Sequence, residues 1–263
     1  MLKSIIITSF RNIFRNRSFS LINLIGLSVS MSLGMLIILV VREQYTFDNF
    51  HADSDRIYRV NTRALRTTGD HELYASSPLP IGSVLKQGYS FAEEVVRINK
   101  SLNGDVEYGT TNVPLSGLIV DPSFLQMFNF PMKSGSHLTA LKDPNNIVLT
   151  SECAEKIFGK QDPMGKVVKM KGYGEFVVAG VLAKFPSKTH FAFEALASFS
   201  AMAQWEMSGT VSSSTDNWNN YYSGYNYFKL KQGHSREEVE KALSVMSKKY
   251  YSNNKLEARD RGY

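Results

Sequence analysis

Ser18-Phe-Ser-Leu-Ile-Asn-Leu-Ile-Gly-Leu-Ser-Val-Ser-Met-Ser-Leu-Gly-Met-Leu-Ile-Ile-Leu-Val-Val41 is a run of 24 residues without a charge. In front of it stand Lys3, Arg11, Arg15 and Arg17, with no acidic residue among them. About 20 apolar residues in a helix cross the hydrocarbon core of a bilayer, and cations on one flank hold that flank in the cytoplasm. Residues 18–41 therefore read as a transmembrane helix, with residues 43–263 outside the cytoplasm. A cleaved secretory signal would have a shorter apolar core and a small-residue cleavage site. This run instead ends in Leu39-Val-Val-Arg-Glu43. A buried helix of a soluble core would leave the cation bias unexplained.

Within the run, Asn23, Gly26, Ser30 and Gly34 fall three, four and four residues apart, on one helical face. Small residues at that spacing let helix backbones approach closely, while Asn and Ser hydrogen-bond across the contact, so the face reads as a helix-packing surface. Residues 1–17 have amphipathic character. Leu2, Ile5, Ile6, Ser9, Phe10 and Ile13 share one side, and Arg11 and Arg15 another, as in a segment lying along the inner membrane surface.

The chain of 263 residues has a formal charge of +6 and a pI near 9.2. Four of those charges lie in residues 1–17, which leaves only +2 on the rest. The basicity thus reflects topology rather than a nucleic-acid partner. Cys153 is the sole cysteine, so the outer region has no intrachain disulfide and depends on packing.

Beyond the apolar run the patterning alternates between helix and strand periods. Arg56–Val60 alternates as a half-buried strand. Ser77-Pro78 followed by Leu79, Ile81, Val84 and Leu85 predicts a helix to about Gln87, and Glu94–Lys100 a strand. Asp121-Pro122 predicts the cap of a short helix carrying Phe124, Leu125 and Phe128. Ile147–Leu149 reads as a strand after a turn at Asp143–Asn146, with Thr150 capping a helix that Gly159 ends. Gly165–Met170 and Glu175–Val181 form a hairpin, and Tyr225–Leu230 another strand. Ser235-Arg-Glu-Glu238 is a capping box for a helix to about Tyr250. Met207–Asn220, rich in Ser, Thr, Gly and Asn, is expected to be a mobile loop. The class is α+β: one N-terminal transmembrane helix, then an extracytoplasmic domain of mixed or antiparallel sheets with packed helices, with room for two subdomains.

No segment carries the residue pattern of a catalytic site. Gly159-Lys-Gln-Asp-Pro-Met-Gly165-Lys166 imitates a phosphate-binding loop, but five residues separate its glycines, Val167 stands where Ser or Thr must hold magnesium, and the segment follows a helix. The histidines at 51, 71, 137, 190 and 234 are scattered singly and read as surface or capping residues, with no metal spacing. His51 lies near Asp48, Asp53 and Asp55, a segment that reads as a solvated turn rather than a cation site. Cys153, one turn into its helix, is expected to be partly buried, and no Gly-x-Ser-x-Gly elbow occurs. No catalytic, cofactor or metal residue is assigned.

Four segments carry a resemblance. Phe10-Arg-Asn-Ile-Phe-Arg-Asn-Arg-Ser-Phe-Ser-Leu-Ile-Asn-Leu-Ile-Gly-Leu27, Tyr45-Thr-Phe-Asp-Asn-Phe-His51 with Asp55-Arg-Ile-Tyr-Arg-Val60, Val120-Asp-Pro-Ser-Phe-Leu-Gln-Met-Phe-Asn-Phe-Pro131, and Ile147-Val-Leu-Thr-Ser-Glu-Cys-Ala-Glu-Lys-Ile-Phe-Gly159 continuing through Asp162-Pro-Met-Gly-Lys166 resemble the MacB/FtsX-like permease subunits of ABC transporters. The resemblance implies a permease of the cell inner membrane that pairs with a second permease subunit, itself or a relative, and recruits a separate cytoplasmic ABC ATPase. It further implies that the periplasmic domain moves on ATP binding, in concert with a periplasmic adaptor in some members, to expel peptides or drugs or to extract lipoproteins. The family places more membrane helices after the outer domain, so by this resemblance the chain is expected to be an N-terminal portion. By topology alone a single-span envelope sensor or receptor is the alternative; a membrane-anchored hydrolase lacks a site.

Overall fold

A computed structural model describes residues 11, 14–48, 50–51, 53–65 and 70–251. The chain divides into two compact units, residues 1–49 and residues 50–263. In the first, α1 (Arg17–Thr46) is one uninterrupted helix that extends the apolar run at both ends. Residues 17–45 are long and apolar enough to cross a membrane, and the side chains of the apolar stretch are not covered by the rest of the described chain. Lys3 and most of the amphipathic segment lie outside the described residues.

The second unit is a mixed sheet with helices packed on it. Its strands are β1 (Ile57–Val60), β2 (Thr62–Leu65), β3 (His71–Tyr74), β4 (Ala92–Asn99), β5 (Asn103–Tyr108), β6 (Thr111–Val120), β7 (Met132–Gly135), β8 (Asn146–Thr150), β9 (Val167–Met170), β10 (Gly174–Leu182), β11 (Ala195–Ser198) and β12 (Gly224–Leu230). Its helices are α2 (Pro80–Gly88), α3 (Phe124–Phe128), α4 (Ser151–Phe158), α5 (Met202–Met207) and α6 (Arg236–Tyr251). The ten-stranded ladder runs β1-β12-β4-β6-β11-β8-β10-β9-β5, with β7 beside β10. Because β5 pairs with β6 as well as with β9, six strands close into a ring, and β4, β12 and β1 project from it as a wing.

Period-two alternation sorts the side chains. Val106, Leu115, Ile119, Ile147, Leu149, Val168, Met170, Phe176, Val178, Ala195 and Ala197 form one buried cluster, joined by Cys153, Ala154, Ile157 and Phe158 of α4. The alternate residues Leu118, Val120, Val148 and Leu196 meet Val96 and Ile98 of the wing and the aromatic residues of α3 in a second cluster. A third holds α2 and α6 against the wing through Leu85, Val95, Phe228, Val239 and Met246.

Local signals hold where a single residue decides. Thr150 caps α4, its Oγ1 accepting from Cys153 N–H at 3.2 Å, and Gly159 ends it with φ 61°, a conformation open to glycine. The hairpin β9–β10 and the turn closed by Asn146 N–H on Asp143 C=O also form as expected. Other expectations need correction. α2 starts at Pro80, not at Pro78, because Ser77 is fully buried and its Oγ accepts from Asn226 Nδ2. Asp121 does not cap α3; its carboxylate is taken by Arg97. In the capping box only half is made: Glu238 N–H donates to Ser235, while the Glu238 carboxylate turns to His234. The 207–220 segment is irregular but tied down, since Glu206 Oε1 accepts from both the backbone and the hydroxyl of Ser214 and Thr215. Cys153 is 2% exposed rather than partly buried, and burial, aided by the nearby Glu194 charge, pushes its thiol pKa up to about 12, so it is inert. Lys166 bonds Gln161, and Gly165 sits in the turn before β9.

A close approach also dictates Gly82. A Cβ there would stand 2.5 Å from Arg97 Cγ and 2.5 Å from Asn226 Oδ1. Gly82→Ala should cost about 1–3 kcal/mol by overpacking, whereas Gly88→Ala, where a Cβ meets nothing within 4 Å, should stay within about 0.5 kcal/mol of wild type. Urea unfolding of both variants checks the contrast.

Candidate functional site

The first residues of the second unit, Phe50–Val60, are fastened to the rest of that unit three times over. Phe50 is half-buried, its ring 5.5 Å from Phe130 edge-on and 6.3 Å from Phe185 in a stacked arrangement. His51 is 6% exposed, a correction to its reading as a surface residue. Its Nδ1 is bonded to the Phe128 carbonyl. A carbonyl only accepts, so Nδ1 carries a proton. The imidazole edge also meets the rings of Phe128 at 5.4 Å and Phe130 at 5.1 Å.

α3 builds this socket. Its five residues place Phe124 and Phe128 4.9 Å apart, and Asn129, left-handed at φ 47°, turns the chain so that Phe130 stacks on Phe124 at 5.6 Å and 12°. Phe191 closes the wall, 4.7 Å from Phe128 and 5.4 Å from Phe124. Such ring pairs each add about 0.5–1.5 kcal/mol beyond the area they bury.

The second fastening is ionic. Asp53, left-handed at φ 57°, opens a 3-10 turn, Ser54–Arg56. Lys229 Nζ lies 2.6 Å from Asp53 Oδ2 and 3.0 Å from Glu93 Oε1. Arg56 bridges the same two carboxylates at 3.0 Å and 2.9 Å and also donates to the Leu230 carbonyl at 3.3 Å. Two cations and two anions thus alternate across β1, β12 and β4. The third fastening is backbone: β1 pairs antiparallel with β12 from Ile57↔Lys229 to Val60↔Asn226. The Asp-rich segment is thus the exposed turn that the sequence predicts, and its Asp53 in addition joins an ionic clamp.

Deeper in the wing, Arg97 grips Asp121 at both carboxylate oxygens, Nη2 to Oδ1 at 2.8 Å and Nε to Oδ2 at 2.9 Å. Its guanidinium lies 4.0 Å from the centre of the Phe199 ring, and Nη1 donates to Ser83 Oγ at 3.0 Å. One side chain thereby joins α2, β4, the end of β6 and the start of the α5 region.

Of the residues singled out in the sequence, Asn23, Gly26, Ser30 and Gly34 lie on α1, and a Cβ at Gly26 or Gly34 would meet nothing within 4 Å. Arg11, Arg15 and Arg17 are exposed. His71 is exposed, and His190 and His234 bond Tyr227 and Glu238 at 2.8 Å. No group of metal-binding side chains occurs among the described residues. The socket and the clamp were not foreseen: their members are up to 176 residues apart, as Asp53 and Lys229 are, and no local pattern links them.

Residues 20–245 match the family model of the MacB-like periplasmic core domain. No curated protein matches the chain. Among solved structures, a domain assigned to a permease protein of Porphyromonas gingivalis aligns over 80% of this chain and 93% of its own, at 19% identity and a TM-score of 0.64. The extracellular domain of YknZ, a noncanonic ABC-type transporter from Gram-positive bacteria, aligns over 78% of this chain and 100% of its own, at 16% identity and a TM-score of 0.52. At these identities the likeness is one of fold.

The clamp has a pH signature. Hydrogen bonds from Lys229 and then Arg56 hold the Asp53 and Glu93 carboxyls below their ordinary values of 3.8 and 4.5. Groups with lowered folded values stabilise fully above the ordinary ones and lose that stabilisation as pH falls through the lowered ones. Lys229→Met should therefore lower Tm at neutral pH, and its deficit relative to wild type should shrink in acid below 3.8. Thermal melts across pH check this; a deficit independent of pH would remove the clamp.

Proposed function

The chain belongs to the MacB-like periplasmic core domain family, and from that premise we propose that it is a membrane-anchored permease component of an ABC-type transporter. Cytoplasmic ATP hydrolysis, carried out by a separate subunit, moves its periplasmic domain and so drives export or extrusion. The chain itself is no enzyme in this scheme. The observation that carries the reading is the triple fastening at Phe50–Val60. A tether that only held a domain near a membrane would need no buried histidine, aromatic socket and ion network in the residues after its helix. A chain that passes displacement is served by an outer unit whose first residues are firmly held within it, and α1 is itself one helix of 30 residues.

The boundaries in this reading are 1–17 cytoplasmic, 18–41 membrane-spanning and 42–263 periplasmic, in the cell inner membrane. The cations Lys3, Arg11, Arg15 and Arg17 favour that orientation. The stripe of Asn23, Gly26, Ser30 and Gly34 is the surface on which a second permease subunit or another membrane helix packs, and its small residues admit a backbone at close range. A periplasmic adaptor is a further partner on the outer unit.

Two experiments test this reading. A reporter active only in the periplasm, joined after Val60, should be active; a signal from a cytoplasm-only reporter at that site would reverse the topology. Replacing Gly26 and Gly34 together with Leu should abolish membrane cross-linking between permease subunits while leaving the melting of the outer unit unchanged, since a Cβ at either position meets nothing within 4 Å. Undiminished cross-linking would show that this face is not the contact.

A further inference from the structure

The sheet face that carries the aromatic socket is covered only in part. Cover from α3 and Phe191 runs out at residues 190–192, and beyond them lies a cavity of about 410 Å³. Ile98 of β4 and Leu118 of β6 floor it, and Phe191 forms its inner wall. The lining also includes Arg59, Lys100, Ser116, His190, Tyr225 and Tyr227, from β1, the end of β4, β6, the 190–192 segment and β12. Period-two alternation brings them together: Arg59 pairs with Tyr227, Tyr225 with Ile98, and Lys100 lies two residues beyond Ile98 on the same face.

The charges on this lining have one sign. Arg59 uses Nε to bond Asn61 at 3.1 Å, and Lys100 Nζ donates to the Tyr225 hydroxyl at 3.0 Å while lying 4.2 Å from the centre of that ring. Neither is joined to a carboxylate among the described residues. No acidic side chain lines the cavity. Glu194, two residues beyond Ala192 of the lining, has its carboxylate occupied by Lys156 Nζ at 2.6 Å and Ser116 N–H at 3.2 Å. This differs from the wing's other cations: Arg56, Lys229 and Arg97 all meet carboxylates.

We propose that this cavity binds a small organic carboxylate with an apolar body, the carboxylate between Arg59 and Lys100 and the body over Ile98, Leu118 and Phe191. The volume suits a ligand of small-molecule size, and sites of this kind combine apolar walls with a few convergent polar groups. A guanidinium fits the two oxygens of a carboxylate, and charge-assisted bonds at a partly enclosed site exceed those in open water. Strands and a loop form the lining, with no helix N-terminus of the sort that favours phosphate. The inference does not depend on the permease reading, since a sensor domain could use the same cavity.

The test is calorimetric titration of the full chain in lipid nanodiscs with 3-phenylpropionate and with 3-phenylpropan-1-ol, each corrected for empty nanodiscs. The acid should bind saturably and at least about tenfold more tightly than the alcohol, a gap of about 1.4 kcal/mol. Arg59→Gln/Lys100→Gln should remove that preference with Tm unchanged. Ala192→Trp, which fills the mouth from an exposed position, should abolish binding of both compounds and serves if the double variant fails to fold. Equal binding of acid and alcohol, no saturable heat from the acid, or an undiminished preference in the double variant would each overturn the proposal.

Discussion

The ten residues of β6 are the constraint on which the second unit depends. Thr111–Ser116 pair with β5, Gly117–Val120 pair parallel with β11, and Ile119–Val120 also pair with β4. One strand thus belongs both to the closed ring and to the projecting wing. Its alternation assigns Leu115 and Ile119 to the inner cluster and Leu118 and Val120 to the outer one. A one-residue slip would exchange the two sets and empty both cores.

The wing inherits its position from that strand. β4 hangs from the end of β6, β12 from β4, and β1 from β12. Arg97 and Asp121 lock the junction by a two-pronged ion pair, shielded by Phe199. The socket and clamp around Phe50–Val60 are therefore attached to the ring through a chain of strand pairings. From Phe50 onward the chain meets rings and a buried imidazole first, then four alternating charges, then a ladder. Burial makes the socket indifferent to salt, while the exposed carboxylates of the clamp leave it open to screening.

Residues that imitate chemistry are accounted for by structure. Gly159 and Gly165 are turn residues at either end of the segment between α4 and β9, both with positive φ, and Lys166 lies over Tyr108 and Phe158. Cys153 is a small apolar side chain against the ring's interior. His51 fills a space between phenylalanines, and its Nδ1–H satisfies a carbonyl that those rings could not, while His137 Nε2 bonds the Phe130 carbonyl at 2.6 Å. The unbalanced pair of cations at the edge of the same face is what packing leaves unexplained.

Sequence alone determined the features that nearest neighbours along the chain enforce. The uncharged run with its flanking cations specified the long helix, since the signal is composition over consecutive residues. Thr150 and Gly159 bounded α4, and the hairpin β9–β10 followed from alternation around a glycine turn. The closed ring, the hairpins β2–β3 and β5–β6, the socket and the clamp came only from tertiary structure. Asp121 shows the reason: a local rule makes it a helix cap, yet Arg97, 24 residues earlier in the chain, offers two charge-assisted bonds and takes the carboxylate. Lys229 and Asp53 likewise become partners only after β1 has paired with β12, because register brings together residues that no periodicity relates.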